Sequence, residues 1–210
     1  MDFLNVEEIN AFLATVKTKD SRYYPLFLTA TLTGMRRGEL LALKWNDINW
    51  KTSQIHVRRS LVHGKLEEPK SRAAIRSIIM PPTLVRTLKK HQLSCPPGDL
   101  VFPNREGGIM DGANMVRRHF QPALRLAGLR HVRFHDLRHS YASILIAQSE
   151  NLKFIQSQLG HSSAQITLDR YGHLMPQVQH GAGERLEESL FGSGSKVLLE
   201  DLLETSPPIS

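Results

Sequence analysis

Apolar residues recur every three to four positions over most of this chain, and between Ile48 and Met80 that period gives way to alternation. The first spacing gathers side chains on one face of a helix, the second on one face of a strand, so the chain is mainly helical with a small β-insertion. Asn5 followed by Glu8 is a capping pattern, and Val6, Ile9, Phe12, Leu13 and Val16 continue it as an amphipathic helix. A second apolar stretch, Tyr23 to Leu32, ends at Thr33-Gly34, where glycine can take the left-handed turn that closes a helix. Leu40, Leu41, Leu43 and Trp45 predict another short helix. Ile55 and Val57 alternate with polar neighbours and Ser77 to Met80 is a short apolar run, which predicts an antiparallel sheet of two or three strands. The helical period returns after Pro81-Pro82 in Leu84, Val85 and Leu88, then in Met115, Val116, Phe120 and Leu124, and in Leu137, Tyr141, Ile144 and Leu145. The expected fold class is therefore mainly α with a small antiparallel β-sheet, an α+β arrangement.

With 210 residues the chain can bury one substantial core. No apolar run approaches the roughly 18 residues that a membrane span requires, and no basic segment precedes an apolar one at the N-terminus, so neither a membrane nor secretion is expected. The single cysteine, Cys95, cannot close an internal disulfide, which agrees with a reducing, cytoplasmic location. Charge is unevenly spread. Residues 181–210 carry two basic and six acidic side chains, leaving 25 basic against 14 acidic on residues 1–180. A basic body points to a polyanionic partner. The Gly-Ser run at residues 192–195 separates a body, residues 1–192, from an acidic tail, residues 193–210, in which Val197 to Leu203 can form a short amphipathic helix.

The densest chemistry lies in His135-Asp136-Leu137-Arg138-His139, at the start of the helix carrying Leu137, Tyr141, Ile144 and Leu145. Residues three apart on a helix are neighbours, so His135 and Arg138 project together, away from that apolar stripe. An imidazole moves protons near neutral pH and a guanidinium grips phosphate oxygens in pairs. Other readings of this pentapeptide are surface cations at a helix N-terminus, or a metal pair made by His135 and His139 at i and i+4.

Its surroundings narrow the choice. Thr33-Gly34-Met35-Arg36-Arg37-Gly38-Glu39-Leu40 lies about a hundred residues upstream, Leu159-Gly160-His161 lies 23 residues beyond Arg138, and Tyr171 stands ten residues further on. In this order, across residues 33–173, these segments resemble the phage integrase family of tyrosine recombinases. The resemblance implies the catalytic-domain fold of those DNA breaking and rejoining enzymes. It implies that Arg36 and Arg138 clamp the scissile phosphate, that Lys70 protonates the leaving 5′-oxygen, and that His135 and His161 bond the phosphate and assist proton transfer. Tyr171 is the implied nucleophile and Glu39 the acid that braces Arg36. The implied reaction is site-specific recombination through a 3′-phosphotyrosyl link, with double-stranded DNA as partner and no metal, ATP or other cofactor. Family members assemble as tetramers on DNA and pass a C-terminal segment to a neighbour, so the tail is expected to dock on another subunit, while the isolated chain can be a monomer. Members also carry an N-terminal helical domain, so the chain is expected to be a fragment or a minimal relative.

The chemistry is self-consistent. Attack on a phosphodiester concentrates negative charge on its non-bridging oxygens, and Arg36, Arg138 and two histidines would stabilise it. A free phenol has a pKa near 10 and needs both that positive field and a proton acceptor, here His135 or the phosphate itself. Tyr141, Tyr23 and Tyr24 fall in apolar helices, which favours Tyr171. Arg58, Arg59, Arg72, Arg117 and Arg118 are further candidates for backbone contacts, which position a duplex without reading its sequence. Lys65, Arg72 and Arg76 compete with Lys70 for the proton-donor role. A type IB topoisomerase, a catalytically inactive DNA-binding module and a metal-dependent nuclease remain alternative functions.

Overall fold

The computed structural model describes residues 3–68, 74–161, 171 and 188–190. Lys70, Arg72 and the tail at residues 193–210 lie outside the described residues. The chain divides into two compact units, Met1–Met175 and Pro176–Ser210; all of the following concerns the first.

Helix α1, Val6–Lys19, begins as its capping pattern predicts: Asn5 Oδ1 accepts the Glu8 N–H at 2.8 Å, and Glu8 Oε2 accepts the Asn5 N–H at 2.9 Å. Its buried stripe is Ile9, Phe12 and Val16, whereas Val6 is exposed in the first turn. Helix α2, Tyr24–Thr33, is buried over nearly its whole length, as its lack of a polar face requires. It ends at Gly34, whose φ of 60° is left-handed. Helix α3 is Arg37–Leu41, shorter than the apolar spacing through Trp45 suggests, because Trp45–Asp47 forms a separate 3-10 turn.

Among the described residues five strands form where two or three were expected. Strands β1 (Ile48–Asn49), β2 (Gln54–Val57) and β5 (Arg76–Ile79) make an antiparallel sheet in the order β1-β2-β5, with Ile55 opposite Ile78. Strands β3 (Ser60–Val62) and β4 (Lys65–Glu67) form a separate hairpin across His63-Gly64, both at positive φ. Strands of two or three residues are too short to display alternation, which is why the pattern missed β1, β3 and β4.

The remainder is helical: α4 (Pro82–Ser94), α5 (Gly112–Met115), a π-helical turn at Val116–Phe120, α6 (Gln121–Leu126), α7 (Asp136–Ala147) and α8 (Leu152–Leu159). Four phenylalanines bind these elements into one core. Phe12, Phe27, Phe120 and Phe134 pack ring to ring at 5.3 to 6.3 Å in tilted or edge-on arrangements, the geometry that aromatic quadrupoles favour. They come from α1, α2, the π turn and the segment before α7. Burying four such rings fixes α2 beneath the start of α7.

Helix α8 is fastened to the sheet through Gln158. Gln158 accepts the Ile79 N–H through Oε1 at 3.1 Å and donates through Nε2 to the Ser77 carbonyl at 3.3 Å, so it covers the open edge of β5. This link brings Leu159-Gly160-His161 next to the end of α2.

Gly34 sits where these pieces meet. A Cβ on it would lie 2.6 Å from Tyr141 Cδ1 and 3.1 Å from Leu159 Cδ2, at a φ that β-carbon residues avoid. Gly34→Ala is therefore expected to destabilise the fold by about 2 kcal/mol or more, combining left-handed strain with overpacking. The urea midpoint measures this, and an unchanged midpoint would show that Tyr141 yields without cost.

Candidate active site

The site is built from two helix ends and one helix start. Gly34 closes α2 and Gly160, also left-handed at φ 65°, closes α8. Both ends present main-chain carbonyls to the start of α7, where Arg138 Nη1 donates to the Gly34 carbonyl at 2.8 Å and Nη2 donates to the Leu159 carbonyl. The helix dipole leaves partial negative charge on such carbonyls, which suits a cation. Arg138 is only 3% exposed, so it is not the surface cation that the helical wheel suggests. The wheel describes one helix, and α2 and α8 cover the face it leaves polar.

Arg36 enters from the turn after Gly34. It is the N-cap of α3, and Glu39 is the acidic residue of that first turn. Glu39 Oε2 accepts the Arg36 N–H at 2.8 Å and Oε1 accepts Arg36 Nη1 at 2.9 Å. The spacing between Arg36 and Glu39 thus serves both capping and side-chain orientation. Glu39 has a second partner that sequence reasoning did not place here. Arg76, at the start of β5, grips the same carboxylate with Nη1 at 3.0 Å and Nη2 at 2.9 Å, while its Nε donates to the Gln158 carbonyl at 2.7 Å. Arg76 and Glu39 are both buried, at 5% and 4% exposure, whereas the Arg36 side chain is 40% exposed.

Two guanidinium groups, Arg36 and Arg76, therefore share one carboxylate. Burial raises the Glu39 carboxyl, but the Arg76 hydrogen bonds and charge, with those of Arg36, hold it below its ordinary value. Burial, then the like charges of Arg36 and Arg76, pull Arg138 down to about 9, against the opposing influence of Glu39 and Tyr171. Arg36, Glu39 and Tyr171 thus each lie within electrostatic reach of Arg138.

Tyr171 is 1% exposed and packs with Ala142, Ile146, Ile155 and Leu159 between α7 and α8. Its hydroxyl lies 2.5 Å from Nδ1 of His139, which is also buried. The acceptor expected from sequence, His135, is exposed and meets His139 edge to face, with ring centroids 5.0 Å apart. His139 was legible only as a possible metal pair with His135, and the i, i+4 spacing that suggested it also aligns the two rings. No group of three or more potential metal-ligating side chains exists among the described residues. His161 follows Gly160, is buried, and its main-chain N–H bonds to the Gln156 carbonyl. Tyr141 is partly buried, and burial pushes its hydroxyl up to about 12, in keeping with a packing role.

The remaining arginines divide. Arg58, Arg117 and Arg118 are exposed, but Arg59 is paired with buried Asp47 and so holds the turn before β1. A hollow of about 390 Å³ beside His135 is lined by Arg37, His131 and Arg133, cations not singled out from sequence. A larger cavity, about 1050 Å³, opens at the far end of α2 around Arg22, Tyr23, Arg86 and His91, and no expected catalytic residue lines it. No helix of the described residues is long and apolar enough to cross a membrane.

Comparison with known proteins agrees with this geometry. The Phage integrase family model matches residues 2–177. The chain is 30% identical over 197 residues to a "Tyrosine recombinase XerC-like" protein of Caldanaerobacter subterraneus subsp. tengcongensis, covering 81% of this chain and 50% of that one. It is 28% identical over 203 residues to the ICEBs1 integrase of Bacillus subtilis, covering 90% and 55%. The chain thus spans about half the length of these curated relatives. Among solved structures, the Tn1549 transposon integrase in complex with a circular intermediate DNA superposes with a TM-score of 0.76 at 18% identity, covering 90% of this chain and 66% of that one.

The Glu39 network has a pH signature. The native carboxyl ionises below the ordinary 4.5, so its contribution to stability is complete above that value and is lost as pH falls through the lowered native value. Glu39→Gln is expected to cost about 3 kcal/mol or more at neutral pH, because Arg76 stays buried without its countercharge. It should also flatten part of the acid limb in denaturant melts recorded from pH 7 to 3. Glu8 and Asp136, likewise held low, would keep the rest. An acid limb identical to wild type would refute the assignment.

Proposed function

This chain belongs to the phage integrase family, and from that premise we propose that it cleaves and rejoins DNA as the catalytic part of a site-specific recombinase. The observation that carries the reading is that Tyr171, from a distant stretch of chain, sets its hydroxyl on His139, the residue directly after Arg138 on α7, while Arg36 acts on Arg138 from the turn after α2. The Tyr171 oxygen attacks the scissile phosphorus, the bond from phosphorus to the 5′-oxygen breaks, and a 3′-phosphotyrosyl link and a 5′-hydroxyl result. Lys70 supplies the proton that the departing oxygen takes up. Arg36 and Arg138 bind the non-bridging oxygens, with His135 and His161 as further donors. Charge that develops in the transition state meets cations already in place, so the rate gain comes from preorganisation. Because one ester is exchanged for another, the reverse attack by a 5′-hydroxyl rejoins the strand without ATP.

Arg138 and Tyr171 influence each other's ionisation, and a neighbouring cation favours the phenolate. Arg37 and Arg133 around the hollow beside His135, together with exposed Arg58, Arg117 and Arg118, are suited to the flanking phosphates. Double-stranded DNA is thus the proposed partner, with a tetramer on paired sites as the proposed assembly and no metal in the chemical step. XerH, similar in fold at a TM-score of 0.64 and 23% identity, was solved bound to difH substrate, which supports DNA as the partner proposed here.

The test is covalent trapping on a pool of nicked duplexes of randomised sequence in EDTA, where loss of the short product prevents rejoining. Wild type is expected to form an adduct that survives detergent, and Tyr171→Phe none. An adduct undiminished in Tyr171→Phe, or abolished by EDTA, refutes the proposal. Sequencing the trapped DNA identifies the target, and recombination between two such targets separates this function from topoisomerase-like relaxation.

A further inference from the structure

A phenol becomes an effective nucleophile only when something removes its proton, and a buried phenol cannot use bulk water. Tyr171 is almost fully buried, and its hydroxyl contacts Nδ1 of His139 at 2.5 Å. His139 stands directly after Arg138 on α7, so the helix that delivers the phosphate-binding guanidinium also delivers an imidazole to the attacking oxygen. His135, one turn earlier, is exposed and reaches His139 through an edge-to-face ring contact. The two histidines therefore have different surroundings: one faces the tyrosine, the other faces solvent beside the hollow lined by Arg37 and Arg133.

We propose that His139 is a catalytic residue, the base that takes the phenolic proton of Tyr171. The inference rests on the reading of Tyr171 as nucleophile. As the bond from Oη to phosphorus forms, the proton moves from Oη to Nδ1, and the departing 5′-oxygen takes its proton from a different group. In rejoining, the imidazolium returns the proton to the phenolate oxygen as that bond breaks. His139 is thus separate from the leaving-group side of the reaction, where Lys70 acts.

The electrostatics of α7 support this. Burial raises the Asp136 carboxyl, but the Arg133 hydrogen bonds, followed by the charges of Arg133 and His139, leave it below its ordinary value. Such coupling is mutual, so an ionised Asp136 favours the imidazolium that proton transfer creates.

Three measurements test it. Nitrogen NMR of wild-type protein labelled at histidine should show neutral His139 as the Nε2–H tautomer, since Nδ1 must offer its lone pair to the phenol; an Nδ1–H tautomer would overturn the proposal without any substitution. In single-turnover cleavage, His139→Gln and His139→Ala should both slow adduct formation by about a hundredfold or more, the usual scale of general base catalysis. Glutamine can hold a hydrogen bond but cannot accept the proton, so a His139→Gln rate near wild type would reduce His139 to a positioning residue. A substrate with sulfur in place of the leaving 5′-oxygen needs no proton donor. It should restore Lys70→Ala and leave both His139 variants slow, whereas restoration of the latter would move His139 to the leaving-group side. Absence of any adduct with wild type would overturn the reading of Tyr171 itself, a result distinct from the tautomer measurement.

Discussion

The structure turns on one buried guanidinium. Arg138 reaches from the start of α7 to the carbonyls that end α2 and α8, joining two helix C-termini through one planar group. A buried cation without partners would be untenable, and helix-terminal carbonyls are among the few neutral groups that can stabilise one. Left-handed glycines are needed at both ends, because only that turn halts each helix with its last carbonyls still available. Gly34, Arg138 and Gly160 therefore form one structural unit, although 126 positions separate the first from the last. The same cross-link that holds α2, α7 and α8 together fixes the guanidinium proposed to bind phosphate, so on that reading fold and chemistry depend on the same hydrogen bonds.

What could be read from sequence follows from this. Motifs made of turns and caps are local, and Asn5 with Glu8, Gly34, and Arg36 with Glu39 behave as their spacing dictates. Alternation detected β2 and β5 but not strands of two or three residues. The partnerships of Arg76 and His139 were hidden for another reason. Arg76 finds Glu39 across 37 positions and His139 finds Tyr171 across 32, and no periodicity encodes which distant residue a side chain will meet. The family resemblance implied Glu39 as the brace for Arg36 but placed neither Arg76 on that carboxylate nor His139 beside Tyr171. Burial of Arg138 was also invisible, because a helical wheel shows which face is polar but not which other helices cover it.

The charge balance of the site explains why its partner should be an anion. Arg36 and Arg76 both bond Glu39, and their like charges depress Arg138. A phosphodiester brought against Arg36, the most exposed of the three, would relieve that repulsion. Part of the affinity for DNA would then come from charge compensation within a preformed array, so phosphate binding and stabilisation of the array are coupled.

Tyr171, the proposed nucleophile, lies within the small apolar cluster between α7 and α8. Arg138 and Tyr171 are almost equally buried. An apolar setting disfavours a phenolate unless a cation and a proton acceptor stand close, and α7 supplies Arg138 and His139 at consecutive positions. Proton transfer from Tyr171 is then most favourable when the phosphate is seated, because only then does the developing charge pass onto oxygens that Arg36 and Arg138 hold. The same burial that keeps the phenol from reacting with water thus ties its activation to occupancy of the arginine pair.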